Sequence, residues 1–176
     1  MKLEPVDIYN KNKEKTGKIK MRYKDSLEEG EYALAVKAII INSNKKILIS
    51  KRAATKKKDP EKWEINGGVC IAGETSLQGV IREIKEDLGI DLSNVKGILF
   101  KEYCRNQIFH DIWLFKLDIA INELKYSDKE VEDATWASIE ECIDMEKENI
   151  LISYEDLNSD DYKNCIKFLF DNIEEW

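Results

Sequence analysis

The segment Gly67–Ile90 reads GGVCIAGETSLQGVIREIKEDLGI and joins a glycine pair, a turn and a stretch with helical periodicity. Thr75 or Ser76 can cap the start of a helix here, and Gly89 can end it in a left-handed conformation. The apolar positions of this stretch recur at helical spacing: Leu77, Val80, Ile81, Ile84 and Leu88. The spacing predicts a helix that packs one apolar face onto the rest of the domain.

Three carboxylates crowd one turn of this predicted helix. Glu83, Glu86 and Asp87 are three and four residues apart, so they share a face, which we expect to lie away from the apolar stripe. Like charges at this spacing cost ~0.2–0.5 kcal/mol per pair. A hard divalent cation such as Mg²⁺ prefers oxygen ligands and would offset the repulsion; a solvated acidic face is the alternative. Gly79, one turn earlier, leaves space for a loop, water or ligand.

Length and composition limit the possible classes of protein. The 176 residues suit a single domain spanning 1–176, with residues 1–30 as an N-terminal extension. The net charge of −7 argues against a surface for a nucleic acid polymer. The four cysteines have no zinc-site spacing. We see neither a signal peptide nor a membrane span in the sequence, and we expect a cytoplasmic protein.

Strand-like segments dominate the chain and helices are interspersed, which predicts an α/β fold with a mixed β-sheet sandwiched between helices. The first two strands flank a polar turn and predict an N-terminal β-hairpin. Helices are predicted over 74–89, 138–146, where Ser138 and Glu141 could form a capping box, and 160–176. The strand segments are 6–10, 18–23, 32–41, 46–50, 63–69, 95–104, 112–121 and 132–138.

The spacing within this segment is highly specific. Gly68 is followed after five residues by Glu74 and, after seven more, by the run Arg82–Ile90. A chance match to those fixed positions is on the order of one in ten million for a chain of this length. The sequence therefore resembles the Nudix hydrolase superfamily, and residues 68–90 are similar to its signature, the Nudix box. Segments 7–22 and 29–36, and the W-x-x-x-x-G pattern, are similar to the subgroup related to isopentenyl diphosphate isomerase.

The resemblance implies hydrolysis of a nucleoside diphosphate linked to another group, with Mg²⁺ or Mn²⁺ as cofactor. By position, Glu83, Glu86 and Asp87 would bind the metal together with the backbone carbonyl of Gly68. Alternatively, one of these acids, Glu83 or Glu86, would orient or deprotonate the attacking water. The family usually has glutamate where this chain has Asp87, which keeps the charge on a side chain one methylene shorter.

The resemblance also implies supporting roles. Arg82 would hold a glutamate in place through a charge-assisted hydrogen bond. Glu74 would support the loop and the helix start, while Gly67 and Gly89 belong to the structural motif. The partner would be a small-molecule diphosphate substrate, and the resemblance also allows a homodimer.

Residues outside the box can extend the site. Arg52 ends a predicted strand and could contact the diphosphate, and Glu130 is our candidate for a further acid. Glu132 and Asp133 compete with Glu130, and an exposed acidic loop is an equal alternative for all three. The lysines at 56–58 could attract phosphate, although such a run is more often solvated.

Two other functions remain open at this stage. An isomerase is weakened because its cysteine and histidine positions are Gly67 and Val69 here. A non-catalytic ligand-binding module would not need all three acids.

Single residues outside the acidic turn have two interpretations each. Cys70 could be a nucleophile, but a thiol in a loop is the simpler interpretation. The lone histidine, His110, is more often structural than catalytic. Trp63 and Trp113 could stack on a base, but core packing is favoured.

Overall fold

The computed structural model describes residues 3–126, 129–152 and 164. The two α-helices within this part of the chain are Ser76–Leu88 (α1) and Ile139–Lys147 (α2). The strands are Pro5–Tyr9 (β1), Lys15–Met21 (β2), Ala33–Ile41 (β3), Ile47–Arg52 (β4), Trp63–Glu64 (β5), Gly67–Val69 (β6), Gly97–Arg105 (β7), Ile108–Lys116 (β8) and Val131–Ala137 (β9). The helix predicted over 160–176 lies outside the described residues except for Asn164.

The N-terminal hairpin is confirmed. Strands β1 and β2 pair antiparallel as a separate two-stranded sheet, with Val6 opposite Lys20. Val6, Ile8 and Tyr9 are buried, which anchors the hairpin to the rest of the molecule. Tyr9 also forms an isolated antiparallel bridge with Tyr32, just before β3.

The main sheet is mixed, as predicted, and strand β3 lies at its centre. Strand β3 pairs in parallel with β8 over its whole length, from Ala33 opposite Ile108 to Ile41 opposite Lys116. It pairs antiparallel with β6 and, at Ile41, with β4. Strand β7 then pairs with β8, while β5 and β9 pair with β4. The β-branched residues that fill β3 suit such a central strand.

Both faces of the sheet are covered, so the predicted α/β/α arrangement is confirmed. Alternate residues of β3 point to opposite faces. Val36 and Ile40 pack in one cluster with Val80, Ile84 and Leu88 of α1. The second cluster holds the other face of β3 and the apolar residues of α2: Ile39, Ile41, Ile139 and Cys142.

Capping residues close to each helix in the sequence determine where α1 and α2 begin, and Gly89 determines where α1 ends. The Thr75 side chain accepts a hydrogen bond from the backbone N–H of Gln78, and Gly89 ends α1 at a φ of 72° in the left-handed region. Ser138 and Glu141 form the predicted capping box of α2. These side chains satisfy backbone groups that a helix terminus otherwise leaves without partners.

Two predicted strands differ most from the observed ones. The segment 63–69 forms two short strands, because the chain leaves β4 after β5 and joins β3 as β6. Asn66, at this crossing, donates a 2.8 Å hydrogen bond to the buried hydroxyl of Ser50. The strand predicted over 112–121 begins at Ile108 and ends at Lys116, where its partner β3 also ends.

Within the described residues, no helix has the length and apolar character needed to cross a membrane.

Candidate active site

The carboxylate of Glu83 lies directly on the backbone of Gly68. Helix α1 packs against β6 so closely that a Cβ added at Gly68 would stand 2.2 Å from Cδ of Glu83. Only a glycine leaves this space, since any other side chain would displace the carboxylate. The first glycine of the Nudix box and its central glutamate are therefore in direct contact.

Arg82 holds this carboxylate from the side. Its Nη1 atom donates a 3.0 Å hydrogen bond to Oε1 of Glu83, and its Nε donates a 2.7 Å bond to Oε1 of Glu74. Its Nη2 donates to the carbonyl of Val69 at 3.0 Å. The planar, rigid guanidinium suits this bridging role because its donors point in fixed directions. Arg82 thus joins the helix, the strand β6 and the loop before α1.

Glu74 completes the network from the loop. Its Oε2 accepts a 2.9 Å hydrogen bond from the backbone N–H of Ile71 and a 3.2 Å bond from Arg82. The side chains of Glu74 and Arg82 are 15% and 19% exposed, so solvent competes little for these contacts. Each partner is charged and mostly covered, which makes these hydrogen bonds stronger than those between neutral groups.

The three box acids share one face of α1 but differ in their environment. The Glu83 side chain is only 12% exposed, whereas that of Glu86 is 50% exposed and lies 3.7 Å from Arg82. Asp87 is half-buried. The reason is that this face of α1 meets β6, so Glu83 is covered while Glu86 faces solvent.

Burial and mutual repulsion perturb the ionisation of these acids. Burial raises the pKa of Glu83, and the charge of Arg82 opposes the shift. Burial raises the pKa of Asp87 to about 7, and the negative charges of Glu83 and Glu64 add to the effect. A carboxylate disfavoured in this way gains most from a nearby cation.

Glu64 is a site residue that sequence reasoning did not identify. It ends β5 opposite Ser50 of β4, close enough to Asp87 for its charge to raise that residue's pKa. It lies three residues before Gly67 in a segment interpreted only as a strand. The one feature of the sequence that pointed to Glu64 was its position on a predicted strand that leads directly into the Nudix box.

Arg52 pairs with Glu64 rather than pointing freely toward a ligand. Its Nη1 donates to both carboxylate oxygens of Glu64 at 2.8 Å. Its Nη2 and Nε donate to the backbone carbonyls of Lys58 and Asp59 at 2.9 and 3.1 Å. Arg52 therefore fixes the loop between β4 and β5 and orients Glu64; its predicted contact with a diphosphate stays a prediction.

Glu130 lies at the edge of the same region. Its carboxylate forms an ion pair with Lys56, whose positive charge acts on Asp87. The two competing acids have other contacts, because Glu132 pairs with Lys51 and Asp133 accepts from the backbone N–H of Ala134. Among these three acids, Glu130 is the one whose partner acts on the Nudix box, and its role in the site stays a prediction.

The space beside Gly79 is filled by the loop thiol. A Cβ added at Gly79 would stand 2.4 Å from Sγ of Cys70, so the glycine lets the loop pack onto α1. Burial raises the pKa of the Cys70 thiol to about 12, which leaves it protonated near neutral pH. The thiolate is the nucleophilic form of cysteine. This environment supports the structural interpretation of Cys70.

The aromatic candidates also have packing roles. Trp113 donates a 2.8 Å hydrogen bond from its indole N–H to Oγ of Ser76 and packs against the α1 cluster. Trp63 packs against the cluster on the opposite face. His110 stacks on Tyr103 with ring centroids 4.7 Å apart.

The donor set suits a hard divalent cation. The carboxylates of Glu83, Glu86 and Asp87 would supply oxygen ligands, and burial together with the negative charges of Glu83 and Glu64 raises the pKa of Asp87. Among the described residues no three His, Cys, Asp or Glu side chains already converge on one point. Glu86 is exposed, and its side chain can rotate toward the other two acids. The residues present therefore fit such an ion.

Comparisons with known proteins show the family of this chain. Residues 31–155 match the family model described as the NUDIX domain. The chain is 33% identical to the Nudix hydrolase lmo0368 of Listeria monocytogenes over 89% of its length and 92% of that protein. It is 28% identical to the nucleoside triphosphatase NudI of an Enterobacter species, over 57% of this chain and 79% of that protein.

A solved structure shares the fold. The protein DR0079 of Deinococcus radiodurans superimposes with a TM-score of 0.75 at 17% identity, covering 92% of this chain and 99% of that one. The family match extends over most of the chain and includes the whole Nudix box. The chain therefore belongs to the Nudix hydrolase family.

Proposed function

We propose that this chain hydrolyses a diphosphate bond in a nucleoside diphosphate linked to another group, with Mg²⁺ or Mn²⁺ bound at the acidic turn of α1. The observation that carries the proposal is the fixed position of Glu83 between Gly68 and Arg82. A carboxylate held this rigidly is preorganised to bind a cation at a defined point. The similarity to a nucleoside triphosphatase supports a nucleotide substrate.

In this proposal Glu83, Glu86, Asp87 and the carbonyl of Gly68 hold the cation. When bound, the cation supplies charge neutralisation for the diphosphate and polarises the attacking water. Phosphoryl transfer depends mainly on positioning and charge stabilisation, so a rigid set of carboxylates is suited to the reaction.

The environments of the acids support different roles. Glu83 is fixed by Arg82 and acts as a ligand, while the exposed Glu86 either completes the set of ligands or instead orients water and accepts its proton. Asp87 must lose its proton before it can bind a cation. We expect the cation to stabilise the ionised form of Asp87 because opposite charges favour ionisation.

Two residues outside the box act through their neighbours in this proposal. Arg52 orients Glu64 beside Asp87, and Glu130 orients Lys56, whose positive charge can meet the substrate's phosphates. Both residues would therefore affect substrate binding more than the chemical step. The pairs Arg52–Glu64 and Lys56–Glu130 border the site on the side of β4 and β9.

We further infer that the chain falls in the subgroup related to isopentenyl diphosphate isomerase, in the cytoplasm, as a single domain that can form a homodimer. The N-terminal hairpin and the segments at 7–22 and 29–36 support the subgroup. They do not support isomerase chemistry, since Gly67 and Val69 replace the acid–base residues. Hydrolysis of the diphosphate remains the better-supported reaction.

The test uses purified protein, Mg²⁺ or Mn²⁺, and a panel of nucleoside di- and triphosphates, nucleotide sugars, dinucleotides and isoprenoid diphosphates, with products separated by chromatography. We expect one class to be cleaved, and the Glu86→Gln variant to lose the activity while keeping its fold. Glu132→Gln, an acid paired with Lys51 outside the box, is the matched control. Binding of a nucleotide and metal without any cleavage would contradict the proposal and favour a non-catalytic binding module.

A further inference from the structure

The N-terminal hairpin reaches the Nudix box although it lies outside the residues that match the family model, 31–155. Asp7 of β1 accepts a 2.8 Å hydrogen bond at Oδ2 from the backbone N–H of Gly73. The same Oδ2 lies 2.7 Å from Nζ of Lys15 on β2. Lys15 in turn donates a 3.0 Å hydrogen bond to the backbone carbonyl of Glu74.

A third contact involves the backbone alone. The N–H of Ala72 donates a 2.8 Å hydrogen bond to the carbonyl of Pro5. The hairpin thus binds three consecutive residues, 72–74, in the loop between β6 and α1. Gly73 in this loop has a φ of +92°, a conformation that few residues other than glycine adopt.

Two hydrogen bonds, both donated by Arg82, join this loop to the proposed metal ligand Glu83. The Glu74 side chain accepts hydrogen bonds from Arg82, and Arg82 donates to Glu83. The path therefore runs from Asp7 and Lys15 through Glu74 and Arg82 to the carboxylate of Glu83. Each link in it is a hydrogen bond or ion pair of 3.0 Å or less.

We propose that Asp7 is a positioning residue of the active site, which with Lys15 fixes residues 72–74 so that Glu74 holds Arg82 against Glu83. This role rests on the proposed function. The reaction requires Glu83 at one defined point, and its position depends, through Arg82, on Glu74, which follows Gly73 in this loop. The hairpin supplies that restraint from a separate part of the chain.

Attachment of the hairpin does not depend on Asp7. Ile8 is fully buried, and Lys18 and Lys20 of β2 form ion pairs with Glu31 just before β3. These contacts involve neither the Asp7 side chain nor residues 72–74, so we expect them to remain when Asp7 is replaced. A loss of function in an Asp7 variant can therefore be separated from detachment of the hairpin.

The experiment compares full-length Asp7→Ala, Asp7→Asn and Lys15→Met proteins with the wild type, and uses Lys18→Met as the matched control on the same strand. The first readout is kcat and KM on the substrate that the wild type cleaves. The second is the rise in Tm caused by Mn²⁺ alone. Circular dichroism checks that each variant is folded.

We expect Asp7→Ala to lower kcat by ~10–100-fold with little change in KM, as for other residues that orient metal ligands. We also expect it to reduce the rise in Tm caused by Mn²⁺. Asp7→Asn, which keeps an oxygen that can accept from Gly73, should recover part of kcat. Lys15→Met should show a smaller loss, and Lys18→Met should match the wild type.

Equal kcat and equal Mn²⁺ response in all folded variants would overturn the proposal. A wild type that cleaves no substrate contradicts the proposed function instead, and the Mn²⁺ response of Asp7→Ala against Lys18→Met then tests the positioning role alone. Equal loss of kcat in Lys18→Met and Asp7→Ala would also overturn the positioning role of Asp7, because the loss would then come from the hairpin as a whole.

Discussion

The carboxylate of Glu83 packs on the Cα of Gly68, with the position of an added Cβ only 2.2 Å from Cδ of the glutamate. This contact explains why a helix can hold an acid at the backbone of a neighbouring strand. Gly68 therefore contributes to the candidate site through its backbone alone. The neighbouring Gly67 has a different role, because a Cβ there would meet the backbone carbonyl of Val36 at 2.1 Å.

We expect Gly68→Ala to affect mainly catalytic activity and Gly67→Ala to affect mainly the stability of the fold. The first substitution displaces a side chain, so the protein should keep its fold and lose kcat by at least ~10-fold. The second places a methyl group against the backbone of β3, which cannot move without disturbing the sheet. It should therefore lower the free energy of unfolding by ~1–3 kcal/mol. Thermal unfolding and steady-state kinetics on both variants check this. A folded Gly68→Ala protein with wild-type kcat would contradict it.

Arg82→Lys tests the bridging role of the guanidinium. A lysine keeps the charge but cannot donate at once to Glu74, Glu83 and the carbonyl of Val69. We expect kcat to fall by ~10–100-fold with the fold retained. The matched control is Lys85→Arg on the exposed side of α1, where Lys85 pairs with Asp91. The interpretation fails if Arg82→Lys and Lys85→Arg give the same kinetics.

Asp87→Asn should stabilise the metal-free protein at pH 8. The pKa of Asp87 rises from 3.8 to about 7 on folding, so the folded state binds this proton more tightly than the unfolded state. The free energy of unfolding therefore falls as pH rises through this range, and the loss is complete above pH 7. Asparagine removes the charge and with it a penalty on the order of 1–4 kcal/mol.

Thermal unfolding with a chelator present checks this prediction. We expect the Tm of Asp87→Asn to exceed that of the wild type by several degrees at pH 8, at ~2–4 °C per kcal/mol, and to approach it near pH 4. The same variant should lose activity because a metal ligand is gone. A lower Tm than the wild type at pH 8 would show that the aspartate does not carry the predicted charge penalty.

The sequence was sufficient for the Nudix box and its helix. The caps at Thr75 and Gly89 and the apolar stripe are local signals, and the structure has them where the pattern predicts. The hairpin followed from the polar turn between its two strands, and β3 followed from its apolar run of branched residues. Helix periodicity, however, could not show that Glu83 is covered, because the covering surface belongs to β6.

The remaining features depend on contacts between distant parts of the chain. The hydrogen bond that Gly73 donates to Asp7 joins residues 66 positions apart, and Arg52 meets Glu64 because β4 and β5 pair. No spacing rule links such residues within one sequence. The split of 63–69 into two strands has the same origin, since it depends on which strand each part pairs with.

Cys70→Ala should leave turnover unchanged. The thiol is buried against Gly79, and burial raises its pKa to about 12, so it is not a nucleophile at neutral pH. The substitution opens a small cavity and should lower the free energy of unfolding by ~1 kcal/mol. Kinetics at saturating substrate check the prediction. Loss of turnover in a folded Cys70→Ala protein would restore the thiol as a catalytic candidate.

The central claim is that the acidic turn of α1 binds a divalent cation through Glu83. The most direct measurement is a titration of Mn²⁺ into wild-type and Glu83→Gln proteins at pH 8, with free Mn²⁺ followed by electron paramagnetic resonance. Glu132→Gln serves as the control for lost surface charge. We predict a saturable site in the wild type and the control that is lost in Glu83→Gln. Equal Mn²⁺ binding by all three proteins would contradict the claim.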